Sequence, residues 1–257
     1  MPFKSFLGEV LCIVYSEIAY YRYLFPEYCF ETVRLVDTVS HRLIKGKSIE
    51  SDQLLETIDG VCDALSKELI KTLVIGISIS PIKPTYVREL YAFQFGRQQK
   101  SNATVPVKSA KKKLLSENAT TALFLDRLVG LLREMEPLAP PISIGSRMAL
   151  VSNASAEYIP PSFLPFSTSS IEGFTILPHC GSARIGKAER DGLALYMCAL
   201  CVEGAVQVPT LGSILCAMPM SLDVDEDMQE TVFVASPGWV QCLEQAKDIK
   251  DRLANRF

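Results

Sequence analysis

Few residues in this sequence have the type and spacing that chemistry needs. There are 2 histidines, His41 and His179, and they do not form the pair on one helix face that a zinc hydrolase uses. The 8 cysteines are Cys12, Cys29, Cys62, Cys180, Cys198, Cys201, Cys216 and Cys242. Cys198 and Cys201 make a lone C-x-x-C within a strand-like run. A zinc site would want a second pair, and a thioredoxin-like site would want a helix N-terminus. His179 and Cys180 are adjacent, so in an extended segment their side chains point apart and do not form a base–nucleophile pair. Asp223, Asp225, Glu226 and Asp227 lack the glycine and glutamate spacing of a calcium loop and read as a solvated acidic linker. The glycine motifs that cradle phosphates or present a nucleophilic serine are absent from the sequence. The expectation is a binding module with no cofactor and no metal, and not an enzyme. A site built from His179, Cys180 and Cys198 is the enzymatic alternative.

The 257 residues are 48% hydrophobic, enough for a sizeable core. A net charge of −3 argues against a domain that coats nucleic acid, which usually carries a strong basic excess. The concentrated basic stretch ends in Lys111, Lys112 and Lys113. It reads as part of a solvated, mobile loop over Gly96–Lys113, with a nucleic-acid contact as the sharper alternative. No membrane span and no secretory signal are read, so the cysteines are expected to be buried thiols in a reducing compartment.

The elements that would position any site follow from periodicity. Phe6, Leu7, Val10, Leu11, Val14, Ile18 and Tyr21 predict a helix over about 4–24, ended by Phe25-Pro26. A short connector of strand-like character follows, through Val33, Leu35 and Val36. Leu54 to Leu69 predict a second helix over about 51–70, with Ser51 as N-cap. Thr72–Ser80 and Tyr86–Phe95 read as paired strands. Ser116–Glu136 is a third helix in which Gly130 implies close packing, and after prolines Ile142–Ser152 is a strand. Beyond it the pattern loosens. Ile171–Leu177 and Leu193–Val202 are strand candidates, and helical spacing returns over Val240–Phe257.

Several of these stretches carry a resemblance. Tyr20–Glu27 followed by Phe30 resembles the first helix end of HORMA domains. Cys62–Leu65 with Leu69–Leu73 resembles the second helix running into the first hairpin strand. Glu89-Leu90-Tyr91-Ala92-Phe93-Gln94-Phe95 resembles the paired strand, and Leu131–Leu138 the end of the third helix. Tyr158–Phe163 with Ile171-Glu172-Gly173 resembles the start of the C-terminal segment in the meiotic, Hop1/HORMAD branch. The resemblance implies an α+β fold, with three main helices on a mainly antiparallel sheet. It implies a HORMA domain over 1–205, with a core over 1–152 and a C-terminal safety belt over about 158–202. A C-terminal extension over 206–257 would hold a linker and a terminal helix or closure-peptide tail, the tail being Lys250–Phe257.

The resemblance further implies capture of a partner's closure-motif peptide as an added strand. The pairing strand would present Ile142, Ile144, Ser146, Met148 and Leu150. The belt would use Tyr158, Pro161, Phe163, Ile171, Phe174, Ile176, Leu195 and Met197. The implied partners are a peptide of an axis-core protein or of the same family, and an AAA+ remodeller of Pch2/TRIP13 type, with self-assembly as a further option and no membrane. The implied place is the nucleus, on chromosomes through indirect association. A Mad2- or Rev7-type adaptor in the spindle checkpoint or DNA repair is the alternative within the fold.

Overall fold

The computed structural model describes residues 5–79, 86–97, 107–136, 138, 141–151, 158–165, 175–176, 180–190, 193–202, 233–236 and 240–242. Helix α1 (Phe6–Tyr21) begins at Ser5, whose side chain accepts the Gly8 N–H at 3.1 Å. That cap satisfies one of the free N–H groups at the helix start. Val10, Leu11, Ile13, Val14, Tyr15 and Ile18 are all buried, so the helix is apolar on more than one side. It needs to be, because α2 (Ile49–Ser66), α3 (Val107–Glu134) and a β-hairpin all pack against it.

That hairpin pairs β1 (Phe30–Leu35) with β2 (Thr38–Leu43) as a separate two-stranded sheet. Only a connector was read there. The strand β2 hides its pattern because Thr38 and Ser40 point inward while Val39 points outward. Polar side chains of α1 hold the hairpin down. Glu17 accepts the His41 backbone N–H at 2.7 Å, and its other oxygen lies 3.0 Å from His41 Nδ1. Ser16 Oγ accepts the Leu43 N–H at 3.0 Å, and the Tyr20 ring stacks on His41 with centroids 3.5 Å apart.

The N-cap of α2 is Ser48, one turn ahead of the expected Ser51. The two serines cap reciprocally: the Ser51 N–H donates to Ser48 Oγ at 3.0 Å, and the Ser48 N–H donates to Ser51 Oγ at 3.2 Å. Helix α3 begins at Val107, which corrects the loop expected over Gly96–Lys113. Lysine and alanine are good helix formers, so a lysine-rich stretch is no sign of irregular structure. Close packing at Gly130 is also overturned, since a Cβ built there meets nothing within 4 Å.

Among the described residues the main sheet has nine strands. The remaining ones are β3 (Ile70–Ser78), β4 (Tyr86–Arg97), β5 (Ile142–Leu150), β6 (Leu164–Pro165), β7 (Thr175–Ile176), β8 (Cys180–Arg190), β9 (Leu193–Val202), β10 (Phe233–Ala235) and β11 (Val240–Cys242). Their order is β6-β10-β5-β3-β4-β9-β8, with β11 also on β5 and β7 also on β4. The β4–β7 pair is parallel and the other pairs are antiparallel. Strand β8 went unread because its register shifts between Arg184 and Gly186, where Gly186 has φ +137. The bulge breaks the two-residue alternation by which strands are read. Val240–Cys242, where helical spacing returned, is a strand.

One charged pair lies deep in this core. Arg22 Nη2 and Glu89 Oε1 are 2.7 Å apart, and both side chains are buried. The same nitrogen donates to the Glu136 carbonyl, and Tyr91 Oη donates to Glu89 at 2.7 Å. Burial pushes the Glu89 carboxyl above the usual carboxylate range, while Arg22 and Tyr91 pull it back. Removing one partner strands the other without water. Glu89→Ala is expected to lower the unfolding free energy by about 3–5 kcal/mol in urea titration, and the double change Arg22→Met with Glu89→Leu to recover most of it.

Candidate functional site: a covered strand

The resemblance makes β5 the edge strand, to be covered by a bound peptide or by the refolded belt. The strand is there, but its outer side is occupied by the chain itself. Phe233, Val234 and Ala235 pair with Ala149, Met148 and Arg147. Val240, Gln241 and Cys242 pair with Ile144, Ser143 and Ile142. Between these two runs the Ser236 N–H donates to the Ser146 carbonyl at 2.9 Å, and the Ser146 N–H donates to Ser236 Oγ at 3.1 Å. Pairing thus runs along nearly the whole of β5. The physical reason is general: an uncovered edge offers a row of unpaired backbone groups, and covering them removes that liability.

The five side chains predicted for the pairing strand face inward. Ile142, Ile144, Met148 and Leu150 belong to the hydrophobic core, and Ser146 is buried with them. Ser146 Oγ and Tyr15 Oη are 2.9 Å apart, and burial pushes the Tyr15 phenol up, so it stays protonated and able to donate. The backbone of β5 therefore does the pairing while its alternate side chains enter the core and Ser146 ties the strand to α1.

A second segment of the chain flanks β10 in the sheet. Leu164 and Pro165 of β6 pair with Ala235 and Val234, so β10 is held between β5 and β6. The chain reaches β6 from the outer face of α2. Tyr158 Oη donates to Asp63 Oδ2 at 2.8 Å, and Phe163 is buried in the core. Pro161 and Ser162 form a turn closed by the Phe163 N–H on the Pro160 carbonyl at 3.1 Å. Further on, β9 lies on β4 with Leu195 and Met197 buried, and β8 lies on β9. Arg190 at the end of β8 donates to Asn118 of α3 and sits 3.8 Å over the Phe6 ring. Ile176 falls in β7, while Ile171 and Phe174 lie outside the described residues.

The other candidates are scattered. Lys111, Lys112 and Lys113 fall in the first turns of α3, where Lys113 Nζ is 3.6 Å from Glu117 one turn on. Cys180 and Cys198 sit in β8 and β9, and His179 and Lys250–Phe257 lie outside the described residues. Burial pushes the thiols of Cys12 and Cys62 up to about 11 and about 12, which keeps them neutral and poorly nucleophilic. Among the described residues, no three His, Cys, Asp or Glu side chains gather to hold a metal ion.

Three helices and a mostly antiparallel sheet, in which β10 and β11 pair the outer side of β5 and β6 pairs β10, define the class of fold. Residues 4–188 match the HORMA domain, and the chain belongs to that family. HORMA domain-containing protein 1 of Xenopus laevis is 29% identical over 167 residues, covering 60% of this chain and 42% of that protein. HORMA domain-containing protein 2 of Bos taurus is 27% identical over 169 residues, covering 62% of this chain and 53% of that protein. The chain thus spans about two-fifths to half the length of these relatives. Among solved structures, C. elegans HTP-2 bound to the HIM-3 closure motif superposes with a TM-score of 0.62 at 14% identity, covering 76% of this chain and 88% of that one. A chain of the Mitotic Checkpoint Complex gives 0.58 at 9% identity, covering 77% and 97%. The fold is the HORMA fold, with three helices on a mostly antiparallel sheet.

The Ser236 contacts make the occupancy testable. Ser236→Pro deletes the donor to Ser146 and the hydroxyl that accepts from it. At about 0.5–1.5 kcal/mol per hydrogen bond, exchange at the Ser146 and Val234 amides should quicken about tenfold. Hydrogen exchange with mass spectrometry checks this, with the β3 amides of Leu73–Ile75 as the unchanged reference.

Proposed function

We propose that this chain is a meiotic chromosome-axis adaptor. It takes up closure-motif peptides by strand addition to β5 and holds them under the segment that carries β6. The observation that carries the reading is the antiparallel sandwich of β10 between β5 and β6, since added strands of this kind gain affinity from main-chain hydrogen bonds. In this reading β10 and β11 are the resident occupant. A partner's peptide, from an axis-core protein or from the same family, replaces them. The C. elegans relative in complex with a closure motif supports the peptide class, and the two curated HORMA domain-containing relatives support the meiotic branch. The adaptor works in the nucleus on chromosomes, in homolog pairing, synapsis and recombination control. An AAA+ ATPase of Pch2/TRIP13 type resets it, self-assembly proceeds through the same strand exchange, and no chemical turnover is involved. The likeness to the Mitotic Checkpoint Complex chain is a likeness of fold, and no contact described above favours a checkpoint role.

The test uses the full chain and a peptide array tiling meiotic axis proteins, with partners first isolated by pulldown from meiotic cells. The wild-type chain and the Ser236→Pro variant are probed side by side. Binding of an axis-derived peptide, stronger in Ser236→Pro because the resident segment is loosened, supports the reading. Binding of no such peptide by either protein sinks it.

A further inference from the structure

The stretch just before β6 is seated on α2 by an unusual set of contacts. Gly60, Asp63 and Lys67 share one face of α2, at spacings that place side chains above one another. Asp63 Oδ2 accepts from Tyr158 Oη at 2.8 Å and lies 2.6 Å from Lys67 Nζ. Lys67 Nζ in turn stands 4.4 Å from the centre of the Tyr158 ring. The three groups close a small circuit of hydrogen bond, ion pair and cation–π contact. Burial and the Asp63 carboxylate both push the Tyr158 phenol up, so it remains a donor across the physiological range.

Gly60 completes the seat. A Cβ there would stand 2.0 Å from the Pro161 carbonyl oxygen and 3.0 Å from two carbons of the Phe163 ring. The chain meets the helix backbone at this point, and only a glycine leaves room for it. Ser162 has φ 58, which with Pro161 ahead of it is the pattern a type II turn favours. A left-handed serine is a local cost, so the turn persists because its surroundings hold it there. Phe163 then leads directly into Leu164 and Pro165, which pair with Ala235 and Val234. No residue intervenes between the seat on α2 and the strand that flanks the captured segment.

We propose that the Gly60–Asp63–Lys67 face of α2 is the latch that seats residues 158–163 and thereby sets how long a captured strand is retained. The inference rests on the peptide-capture reading above and adds its regulation. The latch residues act through the segment they seat, as positioning residues: they place β6 beside β10, and β6 pairs with it. Gly60→Ala is the discriminating change. Alanine is the better helix former, so a role confined to α2 would raise its stability and leave capture untouched. A latch would fail, because the methyl group and the Pro161 carbonyl cannot share the space.

The experiment measures exchange on the full chain. A fluorescein-labelled synthetic peptide with the sequence of residues 230–244 is added, and its uptake in place of the resident segment is followed by anisotropy. Interface changes act mostly through off-rates, so Gly60→Ala should exchange about tenfold faster than wild type. Tyr158→Phe, which keeps the ring but loses the hydroxyl, should be about threefold faster. Chemical denaturation runs in parallel, and Tyr158→Phe carries the test should Gly60→Ala misfold. Unchanged exchange in the folded variants, with wild type taking up the peptide, overturns the latch alone. Uptake by neither wild type nor Ser236→Pro overturns peptide capture and the latch with it.

Discussion

The ion pair of Arg22 and Glu89 is the constraint on which the arrangement of this domain depends. Arg22 caps the C-terminus of α1, Glu89 lies on β4, and the Glu136 carbonyl that Arg22 also reaches follows α3 on the way to β5. One guanidinium therefore ties the central helix, the central hairpin and the approach to the capture strand. Such a pair is poor evidence of net stability, since desolvating two charges costs about as much as their attraction returns. What it supplies is uniqueness. Among the described residues, Nε and Nη1 of Arg22 have no hydrogen-bond partner, so any shift that parts Arg22 from Glu89 leaves a buried cation with little to hold it. The three elements must then meet in one register, and β5 inherits a fixed position from them.

On that fixed strand the geometry becomes a competition. The occupant of β5 is part of the same chain, and covalent linkage holds a ligand at an effective concentration that reaches about mM for short flexible linkers. A free peptide at about μM faces a thousandfold disadvantage, equivalent to about 4 kcal/mol. Contacts along β5 alone would rarely supply that difference, because both competitors use the same backbone groups. In the proposed latch, the segment carrying β6 sets how fast β10 leaves and not which occupant is favoured at equilibrium. Its described anchors rest on different elements, Tyr158 on α2 and Arg190 on α3 and α1.

Much of the core was legible because it obeys simple periods. The stripe through Leu7, Leu11, Val14 and Ile18 gives α1, and the alternation of Tyr91, Phe93 and Phe95 gives β4. Legibility failed where tertiary surroundings override local pattern. Thr38 and Ser40 point inward under α1, so β2 looks inverted. Gly186 bulges, so β8 loses its alternation. The polar first turns of α3 look like a loop because α3 begins with lysines. The site itself was half readable. β5 was placed from its apolar run, but its partner is three residues of β10 and three of β11, too short to carry any period. The glycine that mattered was also the other one. Gly130 faces open space, whereas Gly60 meets a backbone contact that no local pattern announces.

The pairing of β5 with β10 and β11 has a thermodynamic corollary. Occupancy from within one chain is a unimolecular equilibrium, so the melting temperature of a molecule closed in this way is independent of protein concentration. Occupancy by another molecule's segment is bimolecular, and its stabilisation grows as the logarithm of the ligand concentration. The same hydrogen bonds at Ser146 serve in both cases. Dilution therefore tells apart two assemblies that are locally indistinguishable: a closed ring of one chain holds its midpoint, and a linear array of many chains melts earlier.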